Sequence, residues 1–260
     1  SIFLVEKNGQ TFLWEPFSLR QASLYKISQN LYKNAFGNKV IFEEINHDLE
    51  IRFTYEWNST DRYGFVRKSS LYNTANSAVK VQFIDGIQNV LPYGVEEALQ
   101  NGTSNLVDAY KRTELVEGSS LAIFALSAII VDKAEPSEAL KSNVAWSIGL
   151  ENPTILLSSL QLDAFRRGQE VSQETDIKAE KGAYFLQTEV ALESNGSKEW
   201  LLVADVNQTI SDVITIKSQI LTNPDLKSTI LNDVELGSEQ LTELVAGSDG
   251  LQKTADGLRN

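Results

Sequence analysis

The chain has no cysteine, no methionine, five prolines and a single histidine in 260 residues. Without cysteine there is no disulfide, no thiol nucleophile and no zinc–thiolate site, and the redox compartment stays open. The lone histidine, His47, sits in Asn46-His47-Asp48, a turn composition between strand-like runs, and reads as a surface turn residue. That weakens the idea of an epimerase, which would use a histidine–carboxylate pair to move a proton. It also leaves a zinc site to carboxylates alone. The missing methionine, initiator included, points to a processed or excised piece, or to methionines left out of the written sequence, which would shorten the spacings near each gap. The sequence has no D-x-D-x-D-G loop, no G-x-G-x-x-G or G-x-x-x-x-G-K loop and no G-x-S-x-G elbow. No metal and no cofactor is expected.

Positive charge is also scarce: 23 Lys and Arg stand against 35 Asp and Glu, a formal net charge of −12. This balance opposes phosphate backbones and anionic membranes, and no basic cluster offsets it, so neither nucleic acid nor membrane is an expected partner. The longest apolar run, LAIFALSAIIV at residues 121–131, is too short to span a bilayer as a helix, which takes about 20 residues. It reads as a buried strand. No charged stretch followed by an apolar one opens the chain, so a secretion signal has been removed or never existed.

What is present fits one large β domain with an appendix: 42% of residues are hydrophobic and 22% charged, enough to bury a sizeable core. Residues 49–55 alternate, with Leu49, Ile51, Phe53 and Tyr55 on one face and Glu50, Arg52 and Thr54 on the other, the period of a half-buried antiparallel strand. Asn8-Gly9 predicts a hairpin between residues 1–6 and 11–15. Asn195-Gly196 predicts another, pairing 184–193 with 199–206. Residues 57–67 read as a hairpin tip or loop, 71–83 as a strand broken at Asp85-Gly86, 106–117 and 120–133 as strands, and 156–178 as an exposed excursion. From Thr209 the period becomes helical: Ile210, Val213 and Ile214, then Leu226, Ile230, Leu231 and Val234. Ser238 reads as the cap of a further helix holding Leu241, Leu244 and Val245, stopped by Gly247. The expected division is a β-sandwich domain at 1–208 and a helical linker at 209–260.

Residues 83–110 are the most punctuated stretch, with Pro92, three glycines and a short helical segment. They read as a connection between sheets whose helix covers an edge or meets another domain. Carboxylates gather around it (Asp85, Glu96, Glu97, Asp108, Glu114) and after the apolar run (Asp132, Glu135, Glu138). Glycoside chemistry needs two carboxyl groups about 5–10 Å apart, one held protonated. With 35 acids such clusters arise freely, so these read as solvated or helix-capping groups and no catalytic residue is assigned. Sugar recognition uses aromatic faces beside planar polar groups, which makes Trp57, Arg62, Tyr63, Tyr93 and Arg112 the candidates for carbohydrate or domain contact. Their alternative is to fill the edges of a sandwich core.

Four phrases carry a family likeness: DGIQNVLPYGV (85–95), SNLVDAYKRTEL (104–115), VDKAEPSEAL (131–140) and LVAGSDGLQKTAD (244–256). On them the chain resembles the N-terminal region of large bacterial cellobiose-phosphorylase-like proteins, in which a mutarotase-like β-supersandwich precedes an (α/α)₆ catalytic barrel. The resemblance implies a mainly β, galactose-mutarotase-like, two-layer antiparallel supersandwich with a C-terminal helical linker. It implies a non-catalytic part of a glycoside phosphorylase or hydrolase, packed on the catalytic domain of the same chain and shaping its mouth, and it admits a homodimer. The catalytic carboxylates are then expected beyond this stretch. Two other readings stay open: a stand-alone carbohydrate-binding module using Trp57, Tyr63 and Tyr93, and an epimerase or hydrolase built on the acids near Asp85.

Overall fold

The computed structural model describes residues 1–21, 23–128 and 140–247. Strand accounts for 43% and helix for 24%, in two antiparallel sheets that do not close into a barrel. The mainly β, two-layer fold is therefore the one expected.

Strands β1 (Ile2–Lys7) and β2 (Gln10–Trp14) form the first hairpin, with Lys7 opposite Gln10. Asn8 and Gly9 both take left-handed φ, +55° and +72°, the backbone that lets a two-residue turn follow the strand twist. Next comes a meander of β3 (Ile27–Lys33), β4 (Lys39–Asn46), β5 (Ile51–Ser59) and β6 (Phe65–Asn73). β7 (Val79–Val90) crosses to the other sheet. Beyond it lie helices α1 (Glu97–Gly102) and α2 (Ser104–Tyr110), strands β8 (Lys111–Leu115), β9 (Ala122–Leu126), β10 (Ser142–Ile148) and β11 (Thr154–Leu156), and helix α3 (Leu162–Arg166). β12 (Asp176–Lys178), β13 (Gly182–Leu192), β14 (Ser197–Gln208), α4 (Ile210–Thr222) and α5 (Leu226–Gly247) follow. Among the described residues the five-stranded sheet runs β11-β13-β7-β1-β2 and the nine-stranded sheet β12-β8-β9-β10-β14-β6-β5-β4-β3.

Side-chain alternation sorts the core into layers. Between the sheets, Phe3, Val5, Val81, Phe83, Tyr184 and Leu186 meet Phe53, Leu71, Phe124, Trp200 and Leu202. Phe83 stacks on Trp200 with ring centroids 4.7 Å apart. The opposite face of the five-stranded sheet (Ile2, Leu4, Ile84, Phe185) is covered by Leu162 and Phe165 of α3. The opposite face of the nine-stranded sheet (Val66, Val144, Trp146, Leu201, Val203) is covered by Val213 of α4 and Leu226, Ile230 and Val234 of α5. Each such aliphatic side chain contributes about 1.5–3 kcal/mol of gross burial, so the helices form a third packed layer.

Helix α4 starts where the sequence dictates. The Thr209 hydroxyl accepts from the Asp212 backbone N–H while the Asp212 carboxylate accepts from the Thr209 backbone N–H, a complete capping box. Thr209→Ala is expected to lower stability by about 1 kcal/mol, read as a shift in the urea midpoint without a change in slope. Pro224 follows the C-cap Asn223 and separates the two helices. The expected further helix at Ser238 is corrected: α5 runs unbroken through it. The Ser238 hydroxyl donates to the Val234 carbonyl oxygen (3.3 Å) and accepts from the Asn38 side-chain amide (3.2 Å).

Four other expectations change. Asn195-Gly196 makes a turn, with Gly196 N–H on the Glu193 carbonyl oxygen (2.8 Å), but it is a corner between sheets and not a hairpin. β13 pairs with β7 and β11, while β14 pairs with β10 and β6. Asp85-Gly86 does not break β7, which continues to Val90 with one bulge at Asn89 opposite the Gly182–Ala183 step. Residues 104–110 are helical, and strand begins only at Lys111. The stretch 156–178 is not simply exposed: Leu162 and Phe165 are core residues and Glu174 is buried. Strand structure in the apolar run is described for Ala122–Leu126, and the remainder from residue 129 lies outside the described residues.

Candidate functional site

Asp85 occupies the centre of the sandwich. Its alternation with Val81 and Phe83 points it inward, and it is 0% exposed. One carboxylate oxygen accepts from Arg67 Nη1 (2.8 Å), the Trp200 indole N–H (2.8 Å) and the Ser69 hydroxyl (3.0 Å); the other accepts from the Ser1 hydroxyl (2.5 Å). Arg67 is itself buried and lies over the Tyr55 ring, 4.4 Å from guanidinium carbon to centroid. Burial alone would push the Asp85 carboxyl up, but Arg67, the Ser1 ammonium and the Ser1 hydroxyl together overcome it and hold the group below the usual carboxylate range. Such a carboxylate is a buried, ionised anchor.

Two further buried carboxylates are closed in the same way. Glu44 accepts from the Trp14 indole (2.8 Å), the Phe17 N–H (2.6 Å) and the Gln29 amide (2.8 Å). Glu174 accepts from the backbone N–H of Leu157 (2.6 Å) and Ser158 (2.8 Å), the Ser158 hydroxyl and the Gln161 amide. Glu15 takes a two-pronged contact from Arg166, at 3.0 Å each, tying α3 to the end of β2. Among the described residues no other carboxylate is a hydrogen-bond partner of any of the four.

The remaining acids named from sequence are scattered. Glu96 and Glu97 are exposed at the start of α1. Asp108 binds Lys111 at 2.7 Å, and Glu114 binds Arg112 at 2.8 Å. Asp132, Glu135 and Glu138 lie outside the described residues. His47 is an exposed turn residue whose Nε2 meets the Ser28 hydroxyl at 2.8 Å. Among the described residues no three potential metal ligands converge.

The five candidate contact residues fall on three parts of the fold. Trp57 is in strand β5, not in a loop; it is half-buried, on the register row of Val40 and Arg67. Arg62 and Tyr63 form the β5–β6 tip, which is engaged by the helical layer. The Arg62 backbone N–H donates to Asp233 of α5 (3.2 Å), its side chain reaches the same carboxylate at 3.7 Å, and the Tyr63 ring meets Trp146 edge-on at 6.4 Å. Tyr93 is exposed in the loop before α1, with Lys141 Nζ 5.4 Å above its ring. Arg112 grips Asp176 across the β8–β12 edge through two bonds, 2.9 and 3.2 Å. Arg62 and Tyr63 come together, while Trp57, Tyr93 and Arg112 belong to separate surroundings.

The surface that residue-by-residue reading passes over is the helical layer. Along α5 one stripe holds Leu226, Ile230, Val234, Leu241 and Leu244, at spacings of four, four, seven and three residues that keep to a single helix face. Its first half is core: Leu226 is 0% exposed. Its second half is not, and Leu244 is 74% exposed. On α4 a second stripe, Ile210, Ile214 and Leu221, is exposed beside the face that packs. The period was visible in the sequence; what was hidden is that the sandwich ends beneath α5 before the stripe does.

No family model matches the sequence, and no curated protein does. Among solved structures the fold is similar to that of a bacterial glucoamylase complexed with acarbose, at 11% identity and a TM-score of 0.51, over 94% of this chain and 31% of that one. It is also similar to a putative kojibiose phosphorylase from the human microbiome, at 12% identity and a TM-score of 0.50, over 94% of this chain and 27% of that one. This chain thus spans under a third of the length of either, and at these identities the likeness is one of fold.

Proposed function

We propose that this chain is the non-catalytic β-sandwich region of a carbohydrate-active enzyme, a glycoside phosphorylase or hydrolase. Residues 209–260 act as the helical linker by which it packs on a catalytic domain and shapes that domain's mouth. The observation that carries the reading is the stripe on α5, covered by the sandwich at Leu226 and Ile230 and bare at Leu244. An apolar helix face projecting past its own core calls for a further surface to cover it. Two features agree with it. The fold neighbours are carbohydrate enzymes about three times longer than this chain. The buried carboxylates Asp85, Glu44 and Glu174 are closed by hydrogen bonds within the sandwich.

The test compares this chain with one extended by the sequence that follows it in the gene. In hydrogen exchange, the amides of residues 241–247 are expected to exchange rapidly in the shorter protein and to gain protection of at least tenfold in the longer one. The shorter protein is expected to release no product from glycosides with either water or phosphate. Ordinary turnover by the shorter protein, or unchanged exchange at 241–247, overturns the reading. A stand-alone sugar-binding module is the competing reading, and saturable heat from a glycan panel, lost on Trp57→Ala, is the result that supports it.

A further inference from the structure

The bulge in β7 and the two short helices after it enclose a cleft of about 310 Å³, whose lining includes Asn89, Gln100, Asn101, Ser104, Lys111 and Lys181. Its floor holds an unusual group. Lys111 is only 3% exposed, and its ammonium donates to Gln100 Oε1 (2.6 Å) and Asp108 Oδ1 (2.7 Å). An ammonium carries three hydrogens, and among the described residues no acceptor meets the third. Burying such a charge is costly unless every donor is answered, so the cleft calls for an oxygen at that point.

The charge in the cleft has a definite sign. Asp108 is paired with Lys111: burial pushes its carboxyl up, but Lys111, the Gln100 amide and the nearby charge of Lys181 together hold it below the usual range. Lys181 lies exposed on the cleft wall with no ion-pair partner among the described residues. Glu97, on the same helix as Gln100, is outside the lining and accepts from the amide of the lining residue Asn101 (3.4 Å). The charged side chains in the cleft lining, Lys111 and Lys181, are both cations, in a chain of net charge −12. Neutral donors stand beside the two amines. Asn89, the extra residue of the bulge at φ +58°, and Ser104, the first residue of α2, both line the cleft, and neither side chain has a protein partner among the described residues. Among the described residues no aromatic ring lines it, which disfavours the flat apolar face of a free sugar.

We propose that this cleft is a binding site for a small tetrahedral oxyanion, a phosphate or sulfate group, held by Lys111, Lys181, Ser104 and Asn89. Lysine ammoniums act as point charges that suit a tetrahedral anion, whereas a planar carboxylate is better served by the forked guanidinium of arginine. The cleft exceeds the size of the bare ion, so the group can be free or carried on a small molecule. The site stands independently of whether the chain serves a carbohydrate enzyme.

Titration of the ¹⁵N-labelled protein with inorganic phosphate, inorganic sulfate and methyl phosphate at constant ionic strength decides the matter. Saturable shifts confined to the amides around Asn89, Ser104, Lys111 and Lys181 are expected, weaker as salt rises. If methyl phosphate binds as well as inorganic phosphate, the anion is one carried on a small molecule; if only the inorganic ions bind, it is free. Lys181→Ala, at an exposed position that folding does not need, is expected to weaken binding about tenfold, and Ser104→Ala several-fold. Shifts that grow linearly with all three anions, or equal affinity in Lys181→Ala and the parent, overturn the proposal. Lys111→Met is expected to abolish binding. Should that variant unfold, the two surface variants still decide.

Discussion

Asp85→Asn is expected to lower the unfolding free energy by about 3–5 kcal/mol, the cost of removing one partner from a buried ion pair. For a chain of this size that corresponds to a fall of about 10 °C in the melting midpoint. The reason is what stays behind: Arg67, 4% exposed, keeps its charge between the sheets with no anion to meet it. Asparagine can still accept from Trp200 and Ser69, so the loss isolates the charge from the shape. The double variant Arg67→Met with Asp85→Leu is expected to recover only part of the single variant's deficit, because it removes the isolated guanidinium but leaves the Trp200 indole and Ser69 hydroxyl without their acceptor. Trp200→Phe, which deletes one donor and keeps the ring stack on Phe83, is expected to cost less, about 1–3 kcal/mol.

The same carboxylate predicts a pH dependence with a definite sign. Its folded pKa lies below its unfolded one: burial pushes it up, but Arg67, the Ser1 ammonium and the Ser1 hydroxyl together outweigh burial. Its contribution is therefore fully present above the unfolded value near about 3.9 and is lost as pH falls through the folded value. Denaturant melts of the parent and Asp85→Asn are expected to stay separated by a constant gap from neutral pH down to about pH 5, and to converge below that. A gap that persists unchanged to pH 2, or an Asp85→Asn protein within about 1 kcal/mol of the parent at pH 7, sinks the account of Asp85 as an ionised anchor.

Much of the architecture is legible in the sequence because it is written in local rules. The first Asn-Gly pair, the alternation through Ile51, Phe53 and Tyr55, and the switch to helical period at Thr209 all appear where those rules place them. The second Asn-Gly pair shows where local rules stop. It specifies a turn, yet which strands pair is decided by competition over the whole chain: β7 presents eleven residues in register to β13, and β6 eight to β14, so the two strands flanking the turn leave for different sheets. The buried carboxylates were illegible for a related reason. The partners of Asp85 lie 16 to 115 positions away, and Arg166 is 151 positions from Glu15, so no spacing announces them. The Lys111–Asp108 pair, at a separation of three, was within reach of local reading but was hidden by assigning strand to residues 106–110. Of the contact candidates, Arg62 and Arg112 illustrate the limit from the other side: a guanidinium flanked by turn residues or by acids looks available in a sequence, and here each is drawn to an aspartate on a distant element.

Gly86→Ala is expected to be at least as damaging as the loss of Asp85, by a mechanism that involves no charge. Gly86 sits within β7 opposite Phe185, at a point where the two strands approach so closely that a methyl group on Gly86 would overlap the Tyr184 carbonyl oxygen. The same methyl would lie 2.7 Å from Phe185 Cα and 2.9 Å from its ring. Two of these three obstacles are backbone, which cannot swing aside as a flexible side chain does. Relief requires β7 and β13 to separate, and that disturbs the Asp85 cluster one residue away and the outward packing of Phe185 on α3. The expected loss is about 3 kcal/mol or more, at the upper end of the range for overpacked interiors. Gly102→Ala supplies the control: no atom lies within 4 Å of its added methyl and it ends a helix, so it is expected to be neutral or to stabilise by up to about 1 kcal/mol. If both alanine variants melt like the parent, the close approach of β7 and β13 is wrong. If both lose stability equally, the effect belongs to glycine's backbone freedom and not to the crowding at Gly86. A loss confined to Gly86→Ala, together with a changed environment for the Trp200 indole N–H, ties the strand contact and the Asp85 anchor into one unit.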